Sequence, residues 1–293
     1  MNKITSQKGY MKKFLTLILS ICLAITPLFL MTGCSFIDDI VDATELEVEN
    51  KLLKEENKNL KKEQESLITE ITTLKFLNKF PNGVITEDAT LTNISITVDS
   101  EDGIAVSVID EAQVVIEDGS FNGGQTGFGK PGNSAVWVKS EKAKLIINDG
   151  YFTIKGLARN ESGELDSGHI DLIYCSKGII EINGGLFEGA DDTVWLLNCK
   201  DDAYKNGTAK IIVKGGTFVN WNPADNKSEG EGTSFVAEGY KVEAEKVDES
   251  TTLYHVVKDS EKEDSTEEPI TPPETPLEPT KPEESTSEEE TQE

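Results

Sequence analysis

The segment IIVKGGTF, which occupies Ile211–Phe218, decides the fold because its pattern occurs four times in the chain. The other copies are VVIEDGSF (Val114–Phe121), LIINDGYF (Leu145–Phe152) and IEINGGLF (Ile180–Phe187). A glycine precedes each final phenylalanine by two residues, and the copies start 31, 35 and 31 residues apart. A phosphate-binding loop occurs once and opens a helix, whereas these glycines recur before turn residues. We therefore predict that they form turns between strands, with positive φ angles.

A second short apolar segment precedes each copy, as expected for another strand in every repeat. These segments are Val106–Val108, Val136–Val138, Leu172–Cys175 and Val194–Leu197, and a further one, Phe235–Ala237, follows the last glycine pair. Propeller blades need four strands, and leucine-rich repeats are shorter and carry their own signature. The sequence therefore predicts a solenoid in which each repeat forms one coil. It also predicts that four phenylalanines stack in its core, namely Phe121, Phe152, Phe187 and Phe218.

The Gly-x-Phe turns in apolar coils resemble those of a right-handed parallel β-helix of the pectate-lyase-like type. The closing segment from Gly215 to Val242, which begins GGTFVNWNPADN, is similar to the last repeat of uncharacterised bacterial and phage-associated surface proteins. The resemblance covers roughly residues 83–257 and implies an all-β solenoid of about five to six coils, with residues 81–257 as the head. Such folds include lyases, hydrolases, adhesins and inert spacers, so the resemblance implies no particular activity.

The N-terminal residues 1–33 have the pattern of a lipoprotein signal peptide. They contain four lysines and no acidic residue, with an apolar run at Phe14–Leu30 and Thr-Gly directly before Cys34. This looks like a bacterial lipobox, although Met31 stands where leucine is usual. The resemblance implies cleavage before Cys34 and a diacylglycerol on its thiol. An uncleaved membrane anchor is the alternative, and Met11 is an alternative start. Both alternatives predict a bacterial protein held at the cell membrane and exposed outside the cytoplasm.

Leucines spaced seven residues apart predict a coiled-coil stalk within residues 34–80. These leucines are Leu46, Leu53, Leu60, Leu67 and Leu74. Polar residues occupy most of the other core positions, and asparagine there favours a two-stranded parallel pairing. We therefore predict a homodimer, with a trimer left open. The alternative is a single amphipathic helix packed along the β-helix.

Charge limits the partners of this protein. The net charge is −26, and residues 258–293 contain 14 acidic residues, three lysines and six prolines. That composition predicts a disordered acidic tail. A surface of this charge disfavours binding to nucleic acids and to anionic lipids.

Two cysteines in the head predict either a disulfide or a pair of reduced core thiols. Cys175 and Cys199 end equivalent strands of successive coils, where Cα atoms lie ~4.8 Å apart, and export permits oxidation. The sequence contains no Cys-x-x-Cys motif and no Cys/His spacing typical of a metal site. No cofactor and no metal is predicted.

The candidate catalytic residues are the pairs Asp191-Asp192 and Asp201-Asp202, together with His169 and the only arginine, Arg159. Neighbouring strand residues point to opposite faces, so one Asp-Asp pair cannot direct both carboxylates into one groove. We interpret these acids as solvated turn residues and His169 as a strand-edge residue. No catalytic residue is predicted. An outward groove with three or more mutually close carboxylates would favour an enzyme instead.

Two tryptophans are the candidate ligand platform. Trp137 and Trp195 alternate with apolar residues, so we expect both to point outward, where aromatic rings can stack on sugars. The alternative is that the loops 122–133 and 155–167 cover them as a lid. Trp221 is predicted to close the C-terminal end of the solenoid, which needs a cap.

The sequence thus predicts a surface lipoprotein with a non-catalytic head that binds or scaffolds, with glycans as candidate ligands. The alternatives are a carbohydrate-active enzyme, as a polysaccharide lyase or glycoside hydrolase, and an inert spacer.

Overall fold

The computed structural model describes residues 43–99, 103–128, 132–191 and 193–260. The signal peptide, Cys34 and nearly all of the acidic tail lie outside the described residues. The described chain forms one long helix and three mostly parallel β-sheets, an arrangement compatible with a β-helix. Within the described residues, no helix combines the length and apolar character needed to span a membrane.

The elements run as follows. Helix α1 spans Ala43–Lys79, a 3-10 turn follows at Pro81–Gly83, and a short helix α2 spans Asp201–Lys205. Sheet A contains β1 (Val84–Ile85), β4 (Ile104–Val108), β7 (Ser134–Val138), β10 (Ile170–Cys175) and β13 (Val194–Cys199). Sheet B contains β2 (Ala89–Leu91), β5 (Gln113–Ile116), β8 (Lys144–Ile147), β11 (Gly178–Ile182) and β14 (Ala209–Val213). Sheet C contains β3 (Ile94–Thr97), β6 (Gly119–Asn122), β9 (Tyr151–Ile154), β12 (Leu186–Gly189), β15 (Thr217–Val219), β16 (Tyr240–Lys246) and β17 (Thr252–Lys258).

The strands from β1 to β15 follow a three-part repeat. Successive strands belong to sheets A, B and C in turn, and each pairs in parallel with the strand three places later. Each group of three strands therefore stacks on the previous group, as the sequence repeats predict. The strand predicted at Phe235–Ala237 is wrong. Val236 forms a single bridge to Val213, and the chain turns at once, because the Tyr240 amide donates to the Ala237 carbonyl.

The predicted register of the four phenylalanines is confirmed. All four are fully buried, and their rings stack nearly parallel with centroids 5.2, 5.0 and 4.7 Å apart. The repeated glycines before them have φ angles between 100° and 141°, as predicted. At Gly185 (φ 105°), an added Cβ would lie 3.1 Å from the carbonyl oxygen of Gly150 in the neighbouring strand group. Glycine there permits both the turn and the close stacking.

Helix α1 covers the N-terminal end of the β-sheets with its last turns. Phe76 and Phe80 are buried in the core, and the Ser95 amide donates to Thr73 Oγ1 at 2.9 Å. The last turns of helix α1 therefore pack against the β-sheets, as the amphipathic alternative expects for this part of the helix. Leu53, nearer the start of the helix, is 49% exposed, and Leu74, on the outer side of the last turns, is 43% exposed. The pairing of two helices stays a prediction.

The C-terminal end is covered by a hairpin and a long loop. Strands β16 and β17 pair antiparallel, and β17 extends sheet C beyond β15. Trp221, in the loop after β15, packs against Phe218 and Phe235 with ring centroids 6.0 and 6.4 Å away. The predicted capping position of Trp221 is confirmed. The hairpin was not predicted, and it adds a wall beside the last strands.

Candidate functional site

A cavity of about 550 Å³ lies where the C-terminal cap meets the last strands. Its aromatic residues are Trp195, Trp221 and Tyr254, and its polar side chains are Asp191, Asn220, Asn222, Asp225, Asn226 and Lys227. A concave site of a few hundred Å³, in which aromatic and aliphatic residues line the wall together with polar side chains, is the usual form of a small-molecule binding site. We therefore take this cavity as the candidate functional site.

Three different elements bring the aromatic rings together. Trp195 points away from the core because its neighbours on β13, Val194 and Leu196, are both buried. Trp221 follows β15, and Tyr254 of β17 pairs with Phe218 in the antiparallel ladder. The cavity therefore exists only because the cap folds back beside β13.

Trp195 is held from one side by His169. The imidazole and indole rings stack with centroids 3.4 Å apart and planes 12° apart. His169 Nε2 in turn lies 3.4 Å from Asp171 Oδ1, which also accepts a hydrogen bond from Asn198 Nδ2 at 3.0 Å. His169 is thus a support for Trp195, a role that its position at a strand edge did not reveal.

Burial raises the pKa of Asp171 to about 7, with a further increase from the charge of Glu229 and an opposing effect of the Asn198 hydrogen bond. Burial also raises the pKa of Glu229, whose Oε1 accepts the Cys199 amide at 2.7 Å. Asp201 contributes to the raised pKa of Glu229. Glu229 therefore lies close enough to Asp201 and to Asp171 for the carboxyl groups to interact. None of these three residues lines the cavity, and the enzyme alternative stays a prediction.

Asn198 ends this polar network on sheet A. Its side chain is 5% exposed, and among the described residues its Oδ1 atom has no hydrogen-bond partner. An unpaired buried acceptor costs free energy, so the network is a strained part of an otherwise regular sheet.

Trp137 lies on the same sheet but does not line the cavity. It pairs with Tyr174, whose partner on β13 is Asn198, three residues after Trp195. Its Nε1 donates to Ser176 Oγ at 2.8 Å, and Lys139 Nζ lies 4.2 Å from its ring centroid. Trp137 is therefore not part of the cavity, where Trp221 is the second tryptophan, and a shared platform of Trp137 and Trp195 stays a prediction.

The other candidate catalytic residues have local structural contacts. Asp201 and Asp202 form the first turn of α2, and Arg159 Nη1 donates to the Gly163 carbonyl at 2.9 Å. Asp191 accepts hydrogen bonds from the amide and the hydroxyl of Thr193 through Oδ1. Asp192 lies outside the described residues.

Cys175 and Cys199 lie side by side in the β10–β13 ladder and are both buried free thiols. A hydrogen bond with Cys175, followed by burial, raises the pKa of Cys199. The disulfide stays a prediction.

Among the described residues, no three His, Cys, Asp or Glu side chains are arranged to hold a metal ion. No protein-family model, curated protein or solved structure matches this chain.

Sequence reasoning missed Asn220, Asn222, Asp225 and Tyr254 as cavity residues. The segment NWNPADN, which follows the last repeat, was the available signal, because it departs from the repeat while keeping a tryptophan among polar residues.

Proposed function

We propose that this chain is a lipid-anchored protein of the bacterial cell surface whose head binds glycans without catalysing a reaction. In this proposal the three sheets form a right-handed parallel β-helix of five coils. Helix α1 is the stalk that separates the head from the membrane, and the acidic tail extends from the other end of the chain.

The observation that supports glycan binding is the cavity between Trp195, Trp221 and Tyr254. The CH faces of sugar rings pack well on aromatic rings. Asn220 Oδ1 accepts the Thr252 amide at 2.7 Å, and Asn222 Oδ1 accepts the Ala224 amide at 3.0 Å. These contacts orient both amides and leave their NH₂ groups available to donate to sugar hydroxyls.

Binding is favoured over hydrolysis because Asp171, the buried carboxyl group best suited to stay protonated as the acid, lies outside the cavity. Glycoside hydrolysis needs two carboxyl groups on either side of the bond, one of which stays protonated as the acid. The carboxyl group with a pKa near 7, Asp171, does not line the cavity. Of the two that do, Asp191 is hydrogen-bonded through Oδ1 to Thr193.

The test is calorimetric titration of the full chain, purified in detergent, with a panel of neutral oligosaccharides. Trp195→Ala should abolish measurable binding, because the ring forms the platform of the cavity. Trp137→Ala is the matched control, since it removes an outward tryptophan of the same sheet, and it should bind as the wild type does. Binding that survives Trp195→Ala, or is lost only in Trp137→Ala, would contradict the proposal. Release of shorter sugars would favour the enzyme alternative.

The lipid anchor rests on the sequence pattern before Cys34. Metabolic labelling with a fatty acid should mark the wild type and leave Cys34→Ser unlabelled. Equal labelling of the two would contradict the anchor.

The homodimer is supported by the exposed side chains of Leu53 and Leu74 on α1, because an apolar stripe on a long helix is stabilised by pairing. We propose pairing through Leu46, Leu53, Leu60, Leu67 and Leu74. Sedimentation of the detergent-free chain from Ser35 to Glu293 should give twice the chain mass. The double change Leu53→Asn and Leu60→Asn should give a monomer, and Glu55→Gln on the same helix should not. A dimer that persists in the leucine variant would place the interface elsewhere.

A further inference from the structure

The free polar groups of the cavity include two carboxylates. Asp225 is exposed, its backbone amide donates to the Asn222 carbonyl, and among the described residues its carboxylate has no hydrogen-bond or ion-pair partner. Asp191 uses Oδ1 for both bonds from Thr193, which leaves Oδ2 for a ligand. That carboxylate lies directly over Gly156, where any Cβ atom would clash with Oδ2. Glycine at this position therefore lets the carboxylate occupy a fixed place at the cavity wall.

The one lysine of the cavity does not balance these charges. Lys227 Nζ pairs with Glu231 Oε1 at 3.1 Å, so its positive charge is already shared with a carboxylate outside the cavity. The remaining polar side chains of the lining are neutral amides. The cavity therefore presents a negative field to a ligand, in a chain whose net charge is already −26.

Two kinds of interaction in this cavity stabilise a ligand that carries a positive group. A hydrogen bond between an ammonium group and a carboxylate is roughly twice as strong as one between neutral partners. The faces of Trp195 and Trp221 also attract cations. A neutral sugar gains only the stacking and the neutral hydrogen bonds, and an acidic sugar is repelled.

We propose that the cavity selects glycans that carry protonated amino groups, that is, oligomers of unacetylated amino sugars. This inference rests on the proposed glycan-binding function and names the chemical class of its ligand. Asp225 and Asp191 Oδ2 bind the ammonium groups, and the indole rings bind the sugar faces.

The test compares three oligosaccharides of equal length and linkage with the full chain in detergent, at mildly acidic pH, where the sugar amine is protonated. The probes are the β-1,4 oligomers of glucosamine, of N-acetylglucosamine and of glucose. The glucosamine oligomer differs from the glucose oligomer by one ammonium group per ring in place of a hydroxyl. Acetylation removes the charge and keeps the nitrogen. We expect the glucosamine oligomer to bind at least about tenfold more tightly than either neutral oligomer, a ratio that corresponds to about 1.4 kcal/mol.

The variants separate the cavity from the general charge of the molecule. In the double variant Asp191→Asn and Asp225→Asn, the ratio of glucosamine to glucose affinity should fall to about one. Glu249→Gln removes an exposed charge from the turn of the hairpin and should keep the ratio of the wild type. A ratio that stays high in the double variant overturns the inference, because the preference then comes from the overall charge.

Two further outcomes distinguish this inference from the function on which it rests. Equal binding of all three oligomers, lost in Trp195→Ala, would overturn the amino-sugar inference and leave the glycan site intact. Failure of all three to bind would overturn both, provided that the neutral panel also fails to bind.

Discussion

The interior of the β-sheets repeats its residue types from one group of strands to the next, whereas the outer face of sheet A does not. Inside, the same residue type recurs in successive groups of strands, as in the four phenylalanines of β6, β9, β12 and β15, whose rings stack 4.7–5.2 Å apart. Outside, one row across sheet A reads Ser107, Trp137, Tyr174 and Asn198, with no two residues alike. The repeated interior stabilises the fold, and the non-repeated exterior is free to form a site. The difference teaches that function should be sought where the repeat is broken.

The largest expected effect is on the interior. Phe187→Ala should lower the free energy of unfolding by about 3–5 kcal/mol, because the ring is fully buried between two other rings and no neighbour can fill its space. Leu186→Ala, at the adjacent position on β12, is the control. That side chain is 37% exposed, so the change should cost much less. Urea unfolding followed by circular dichroism measures both. Equal losses of unfolding free energy in the two variants would show that the stacked interior contributes no more to stability than the exterior.

The interior was predictable from the sequence because stacking demands repetition. Parallel strands that pair in register place equivalent residues on top of one another, so the spacing of Gly150 and Phe152 must reappear as Gly185 and Phe187. The hairpin of β16 and β17 was missed because it lies after the last repeat and pairs antiparallel. The alternation of apolar and polar residues in its strands and the turn near Asp248 were local signals, and neither recurs elsewhere in the chain as the repeats do.

The candidate site was less predictable, because it depends on contacts between segments with no sequence relationship. The outward direction of Trp195 followed from its apolar neighbours. Its stacking on His169 and its closeness to Trp221 depend on how a strand edge and a cap loop fold back, which no spacing specifies. The platform of Trp137 and Trp195 was inferred from the apolar neighbours of both residues; it stays a prediction, and Trp137 does not line the cavity.

The second effect is expected from the polar network under Trp195. The pKa of Asp171 is raised from its ordinary value of 3.8 to about 7, chiefly by burial. The folded state therefore holds a proton that the unfolded state has lost, so stability falls as the pH rises from about 4 to about 7 and then levels off. Asp171→Asn removes this loss and should stabilise the protein at pH above 7 by on the order of 4 kcal/mol relative to its effect near pH 4.

Thermal unfolding of the wild type and Asp171→Asn across this pH range measures the difference. Glu229 faces the same network, and its pKa is also raised by burial, so part of the slope should remain in the variant. Parallel pH profiles for the two proteins would show that Asp171 is solvated in the folded state. The polar side chains on the outer face of sheet A would then be hydrated like those of an ordinary exposed surface.

The smallest effect concerns His169, which we assign as a positioning residue for Trp195. Stacking at 3.4 Å restricts the indole before a ligand arrives, and ordering one such side chain on binding costs about 0.5–1.5 kcal/mol. His169→Ala should therefore weaken binding of the best oligosaccharide by about 2- to 12-fold in calorimetric titration. His169→Phe keeps a flat ring against the indole and should restore most of that affinity. If phenylalanine is no better than alanine, the imidazole acts through its contact with Asp171 rather than through stacking. The support would then be electrostatic and would follow the titration of that carboxyl group. If neither change at His169 alters affinity while Trp195→Ala abolishes binding, the cavity wall alone holds the indole. Trp195 would then bind the ligand without positioning by His169.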